Sequence, residues 1–240
     1  MSSVWVIGYV FTALGFGIGG IIAWILQGIQ KRMDLVFSIC AGLILGLLSF
    51  DVAPEAIQLG GWISSILGFL IGVTMFNLIH KSFKVPVTYA KNDEKHFSLF
   101  TGFVLIISIS FHNLPIGIIL GSNQDSSLSN SILIMIILHN IPEGIIVCTF
   151  MFVAGLGMWT LLFLTLIVAI PVGIGAYFGE IIGIGNPFIW SILMSFSIGL
   201  MYMVTVKEIL MDSIKESTSI QILTFTLLGF GSIGLYLAVI

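Results

Sequence analysis

Apolar residues fall along the chain in eight long runs, at about 4–26, 35–58, 62–80, 97–121, 131–153, 159–183, 188–212 and 219–240. Most are near the roughly 20 residues that carry a helix across a bilayer. Short polar or small-residue breaks separate them: Gln27 to Asp34, Leu59 to Gly61, Lys81 to His96, Ser122 to Asn130, Ala154 to Met158, Gly183 to Pro187, and Ser213 to Thr218. None has room for a folded domain. The pattern predicts an all-α integral membrane protein, a single transmembrane domain over residues 1–240 with eight spans and one longer cytoplasmic connection at about 81–96.

Composition removes the alternatives. With 58% apolar and 8% charged residues and a mean hydropathy of +1.18, the chain cannot be a water-soluble enzyme. Its function must lie within the membrane, and no nucleic-acid partner is expected. Met1 is followed almost at once by an apolar run holding Trp5 and Tyr9, with no basic n-region and no small-residue cleavage site, so the first span is expected to stay in the mature protein. Cys40 and Cys148 lie inside apolar runs without a spacing pattern and read as small core residues.

The basic residues set the orientation. Lys31, Arg32, Lys81, Lys84, Lys91, Lys95 and Lys215 lie in the connections after spans one, three and seven, and Lys207 sits a turn or two inside the end of span seven. Cytoplasmic connections collect Lys and Arg, so both termini are expected outside.

Asp51-Val-Ala-Pro-Glu55-Ala-Ile57 in span two aligns without gaps on Glu208-Ile-Leu-Met-Asp212-Ser-Ile214 in span seven. The two spans run in opposite directions. Equivalent segments crossing oppositely mark an inverted repeat, the arrangement that lets transporter halves exchange roles.

Ionisable groups at mid-membrane cost several kcal/mol unless paired or hydrated, which makes them functional candidates. Span four contains Phe111-His112-Asn113-Leu114-Pro115-Ile116-Gly117 and span five Leu138-His139-Asn140-Ile141-Pro142-Glu143-Gly144, two copies of His-Asn-x-Pro-x-Gly. Counted from the outer ends of their spans, both imidazoles lie about 12–14 Å deep, near the bilayer midplane. They can face one another. Glu143 shares the His139 face one turn deeper, a placement used by helical metal sites. Each proline removes a helix hydrogen bond and releases the carbonyl of Phe111 or Leu138, which lipid tolerates only beside protein or a wet cavity. Gly117 and Gly144 are expected to let the two helices approach closely.

Plainer roles exist for several of these residues. Asn113 and Asn140 can serve as interhelical hydrogen-bonding groups. Asp51, Glu55, Glu208 and Asp212 can be interfacial acids, as His80 and His96 can be interfacial histidines. The scattered methionines read as packing.

The paired motifs resemble those of the ZIP (Zrt/Irt-like protein) family of divalent metal transporters, chiefly through His139-Asn-Ile-Pro-Glu143-Gly144 and its fourth-span counterpart His112-Asn113-Leu-Pro-Ile-Gly117. The resemblance extends over the whole chain. It implies eight spans with both termini outside, spans 1–3 and 6–8 as inverted repeats around central spans 4–5, and a cytoplasmic connection between spans three and four. It further implies that His112, His139 and Glu143 bind the transported ion, that Asn113 and Asn140 adjoin the site, and that Glu208 is a step on the cytoplasmic exit path.

This chain departs from the family pattern in two places. Ile116 stands where the family usually has a glutamate, and no acid lies near the middle of span six. Lys207 is a third oddity, a cation beside the exit residue. Two divalent ions would set four positive charges against Glu143 in a low dielectric, so a single ion is expected. Asp51, level with the histidines, could add a second negative charge.

The expected function is import of a divalent metal ion, zinc foremost, into the cytoplasm. Asp51 and Glu55 would capture it, His112, His139 and Glu143 coordinate it, and Glu208 and Asp212 release it. A potential of 100 mV, inside negative, favours influx of a doubly charged ion by about 4.6 kcal/mol, so no ATP-binding segment is needed. The metal is substrate rather than cofactor, no cofactor is expected, and the bilayer is the surrounding partner. A multi-pass location in the plasma (inner) membrane is expected, and a homodimer is compatible with the chain. Affinity should fall below about pH 6, because protons compete for the same ring nitrogens. The rival readings are a degenerate family member that binds metal without transporting it and an intramembrane zinc hydrolase.

Overall fold

A computed structural model of the protein describes residues 4–26, 33–82, 94–122, 126–183, 185–211, 213 and 218–239. Among them every regular element is helical: α1 (Val4–Leu26), α2 (Met33–Leu47), α3 (Ala53–Ser82), α4 (Glu94–Ser122), α5 (Ser126–Val153), α6 (Met158–Ile182), α7 (Pro187–Val204) and α8 (Ser219–Val239). A π-helical segment, Leu48–Val52, joins α2 to α3, and a second, Thr205–Leu210, continues α7. Asp212, expected at the exit, lies outside the described residues.

Seven helical stretches are long and apolar enough to cross a membrane. The second, Met33–Ser82, runs for 50 residues. At 1.5 Å per residue such a stretch would reach about 75 Å, more than twice the roughly 30 Å hydrocarbon core. It does not run straight, because Gly61 has φ 78° and ψ 178°, a conformation open in practice only to glycine. This residue falls in the break expected at Leu59 to Gly61.

Among the described residues many large apolar side chains face outward, while a set of polar groups is buried within a largely apolar core. Trp159, Ile63, Ile220 and Leu235 are among the large side chains left exposed, whereas His112, Asn113, His139, Asn140, Glu143, Ser195 and Thr205 are buried. Cys40 and Cys148 are buried free thiols. That distribution suits a solvent of acyl chains rather than water.

The helices pack as α1 on α5, α4 on α6, α2 on α8 and α3 on α7, with α1 also against α6. Close backbone approach fixes the two motif helices. A Cβ on Gly144 would strike the Phe16 carbonyl of α1, and one on Gly117 would strike the Val172 carbonyl of α6. The motif glycines therefore do not bring α4 and α5 together, as the sequence suggested. Each follows its histidine by five residues, about 140° round the helix, so the glycine grips an outer neighbour while the histidine turns inward.

Candidate metal site

Two helices interrupted by proline deliver the candidate ligands: α4 carries His112 and Pro115, and α5 carries His139, Pro142 and Glu143. The imidazole rings meet edge to face, with centroids 5.5 Å apart and planes at 82°. One ligand atom from each of His112, His139 and Glu143 lies within 4.8 Å of the others. All three are buried, with exposures of 4%, 8% and 2%. The expected convergence is present.

Hydrogen bonds choose the tautomers. His112 Nδ1 lies 3.2 Å from the Ser197 carbonyl of α7, and His139 Nδ1 lies 2.7 Å from the Met135 carbonyl one turn back. A carbonyl can only accept, so Nδ1 carries the proton in both rings and each Nε2 keeps its lone pair. This is how metal-binding histidines are commonly oriented, with the far nitrogen anchored and the near one presented. Ser197 holds its neighbour from both sides, since its hydroxyl also donates to the His112 carbonyl at 3.0 Å.

His112 Nε2 stands 3.9 Å from Glu143 Oε1, too far for a hydrogen bond. An ion bound at about 2.0–2.2 Å in tetrahedral geometry would place its ligands about 3.4 Å apart. The His112–Glu143 pair therefore needs only a modest contraction to close on a cation, within a set whose ligand atoms lie up to 4.8 Å apart. Two neutral imidazoles and one carboxylate form a three-ligand set with an open position, of the kind that suits zinc and other late divalent metals.

Asn140 adjoins this set. Asn140 Nδ2 donates to the Ile136 carbonyl at 2.6 Å and lies 3.3 Å from His139 Nε2, on the face an ion would use. Both polar atoms of Asn113, Oδ1 of Asn140 and Oε2 of Glu143 are buried with no hydrogen-bond partner among the described residues. Buried polar atoms are ordinarily satisfied. The unsatisfied atoms on Asn140 and Glu143 belong to residues beside the imidazoles, which marks a place suited to a polar guest.

The ligands open on a narrow cavity of about 40 Å³. One water needs at least about 10–15 Å³, so a cation with one or two waters would fit. Glu55 joins His112, His139 and Glu143 in the wall, and Ile116 lines it too, whereas Asp51 is absent from the lining. The π-helical segment accounts for that choice. Ile44, Leu48 and Val52 face the cavity at successive turns, and the extra residue of the wide turn gives Val52 the place that Asp51 would hold in an unbroken helix.

Glu208 lies apart from this cluster, buried in the second π-helical segment. Its Oε1 is 2.7 Å from His80 Nδ1 of α3. The neighbouring Lys207 reaches Asn77 at 3.2 Å. Reading His80 as an interfacial residue missed this partnership. The two residues are distant in sequence, and only the packing of α3 on α7 brings them together. Ser197 was likewise missed, although a small polar residue inside an apolar span is a recognisable signal of interhelical contact.

No curated protein matches the chain. Residues 88–237, a segment that holds both motifs and Glu208, match the family described as ZIP zinc transporter. Paired histidine motifs and the buried His/His/Glu cluster agree with that match, and the protein belongs to the ZIP zinc transporter family, whose members are integral membrane carriers of divalent metal ions and not enzymes.

Proposed function

We propose that the protein imports divalent metal ions, zinc foremost, one at a time, from outside to cytoplasm down the electrochemical gradient. The observation that carries this reading is the convergence of ligand atoms from His112, His139 and Glu143 within 4.8 Å. A single ion is favoured because Ile116, at the first motif's equivalent of Glu143, contributes no charge. Asn113 and Asn140 line the ion's surroundings. Asp51 and Glu55 gather ions at the outer mouth, and Glu208 and Asp212 release them within. The membrane is the plasma (inner) membrane.

The chain crosses it eight times with both termini outside, and spans 1–3 repeat as spans 6–8, inverted, around spans 4–5. Gly61 supports the count, since so long a helical stretch must reverse somewhere to stay in the bilayer. Packing supports the repeat. Exchanging α1 with α6, α2 with α7, α3 with α8 and α4 with α5 turns the pair α2–α8 into α7–α3 and α1–α5 into α6–α4, and all four pairs occur.

Uptake of zinc into proteoliposomes tests the reading. The intact protein should fill the vesicles, and His139→Ala should abolish the flux. Tight binding without flux in the intact protein would overturn import in favour of a member that only binds.

A further inference from the structure

The His/His/Glu site leaves a charge imbalance. A divalent cation against Glu143 alone brings a net positive charge into a cavity whose wall is largely apolar, with Ile44, Leu48, Val52 and Ile116 among its lining. A low-dielectric wall makes that imbalance costly. The twin motifs show where the missing charge arises, because His112-Asn-Leu-Pro-Ile116-Gly and His139-Asn-Ile-Pro-Glu143-Gly differ at the acid position. Ile116 occupies it in the first copy, and it faces the same cavity as Glu143.

One more carboxylate lines that cavity among the described residues, and it is Glu55. It stands in the first turn of α3, just beyond the π-helical segment, and it is half-buried. Pro54 precedes it and Gly60-Gly61 ends its helical stretch, so a short, bounded piece of helix presents it to the cavity. Neither a salt bridge nor a hydrogen bond ties its side chain to another described residue. A carboxylate in that position, sharing a wall with two imidazoles whose Nε2 lone pairs point inward, is available to a cation.

We propose that Glu55 is the second carboxylate of the metal site, closing on the ion held by His112, His139 and Glu143 and supplying the charge that Ile116 omits. The proposal rests on the assignment of those three residues as the transport ligands. Glu55 thereby does more than gather ions at the mouth. Two imidazoles and two carboxylates neutralise a divalent ion and leave a monovalent ion one charge short, so the fourth ligand also favours divalent over monovalent cations.

The test is zinc affinity of the full chain in detergent, measured by competition with a fluorescent chelator for the unaltered protein, Glu55→Gln, Ile116→Glu combined with Glu55→Gln, and His139→Ala. Glu55→Gln should weaken zinc binding by about tenfold or more, because a buried charge loses its counter-charge. Adding Ile116→Glu should recover much of that loss by moving the carboxylate to the opposite wall. A merely structural role for Glu55 would give no such rescue. If His139→Ala abolishes binding while Glu55→Gln stays within about twofold, the Glu55 proposal falls and the three-ligand site stands. Should the Glu55→Gln loss vanish at about 0.5 M salt, Glu55 acts only by long-range attraction at the mouth, which also overturns the proposal. If His139→Ala binds zinc normally, the assignment beneath the proposal fails instead. Glu55→Asp guards against a folding defect: it keeps the charge but shortens the reach, and should bind more weakly than the unaltered protein and more tightly than Glu55→Gln.

Discussion

The two π-helical segments use one backbone device for two electrostatic ends. Leu48–Val52 follows a helix that packs on α8, and Thr205–Leu210 follows a helix that packs on α3. In the first pair Gly42 abuts the Thr226 carbonyl and Gly229 the Ile39 carbonyl; in the second Gly199 abuts the Phe69 carbonyl and Gly72 the Phe196 carbonyl. Each position in one pair is separated from its counterpart in the other by the interval that separates Asp51 from Glu208. Chemistry then diverges on the shared frame. In the second segment Glu208 is bonded to His80 and Lys207 to Asn77. Phe50, the counterpart of Lys207, instead packs on Phe230 with ring centroids 4.7 Å apart and lies against Gly234. Where α3 has His80, α8 has Leu237. One end therefore ties its acid to a histidine, while the other backs its turn with apolar contacts and offers Glu55 to the cavity. Two helix pairs share one pattern of glycine contacts, and a few differing residues make their ends unlike.

The sharpest way to break this comparison is to crowd the glycines. Gly42→Ala and Gly199→Ala each drive a methyl into a facing carbonyl, and overpacking of this kind costs about 1–3 kcal/mol. If the two pairs are equivalent, both variants should lower the thermal midpoint in detergent by similar amounts. Their double variant should lose close to the sum, since the contacts share no partner. A large loss in one and none in the other would show that the resemblance between the pairs is not energetic.

Much of this was legible in the sequence. Apolar runs gave the helices because lipid leaves the backbone no other partner, and the Leu59 to Gly61 break fell on Gly61, a residue with positive φ. The duplicated motif gave His112, His139 and Glu143, because a helix fixes i and i+4 on one face. What escaped notice depends on partners far along the chain. No local signal says that Gly144 faces Phe16 rather than α4, or that His80 meets Glu208. The choice between Asp51 and Glu55 escaped for a different reason. An α-helical count puts both on one face, and the wide turn that removes Asp51 from the lining is a shift in backbone hydrogen bonding with no residue-type signature here.

Removing the tie at the second segment should have a smaller effect. His80→Leu copies the residue found at the equivalent place in α8 and leaves buried Glu208 without this bond. Because His80 is more than half exposed, the loss should be about 1 kcal/mol rather than the several expected of a fully buried pair. Thermal unfolding would read that loss. Zinc uptake should change as well if Glu208 lies on the path, whereas equilibrium affinity at the His/His/Glu site should stay close to that of the unaltered protein. A fall in that affinity as large as the one caused by His139→Ala would contradict the separation of the two places.

Lys207→Met should have the smallest effect and still informs the comparison. The ammonium lies 3.2 Å from Asn77 and 6.0 Å from the centre of the Phe76 ring, contacts that at an exposed site are worth about 0.5 kcal/mol each. Methionine keeps most of the apolar stem, so stability should fall by no more than about 1 kcal/mol. The charge has a separate consequence. If Glu208 lies on the exit path, a cation beside it repels a departing metal ion, and its removal should raise zinc uptake at low ionic strength by a small factor. Screening at about 0.5 M salt should erase the gain, since the Debye length there is only a few ångströms. A gain that persisted in salt would mean that Lys207 acts by contact, holding α3 to α7, and the difference between the two ends would then lie in packing rather than in charge.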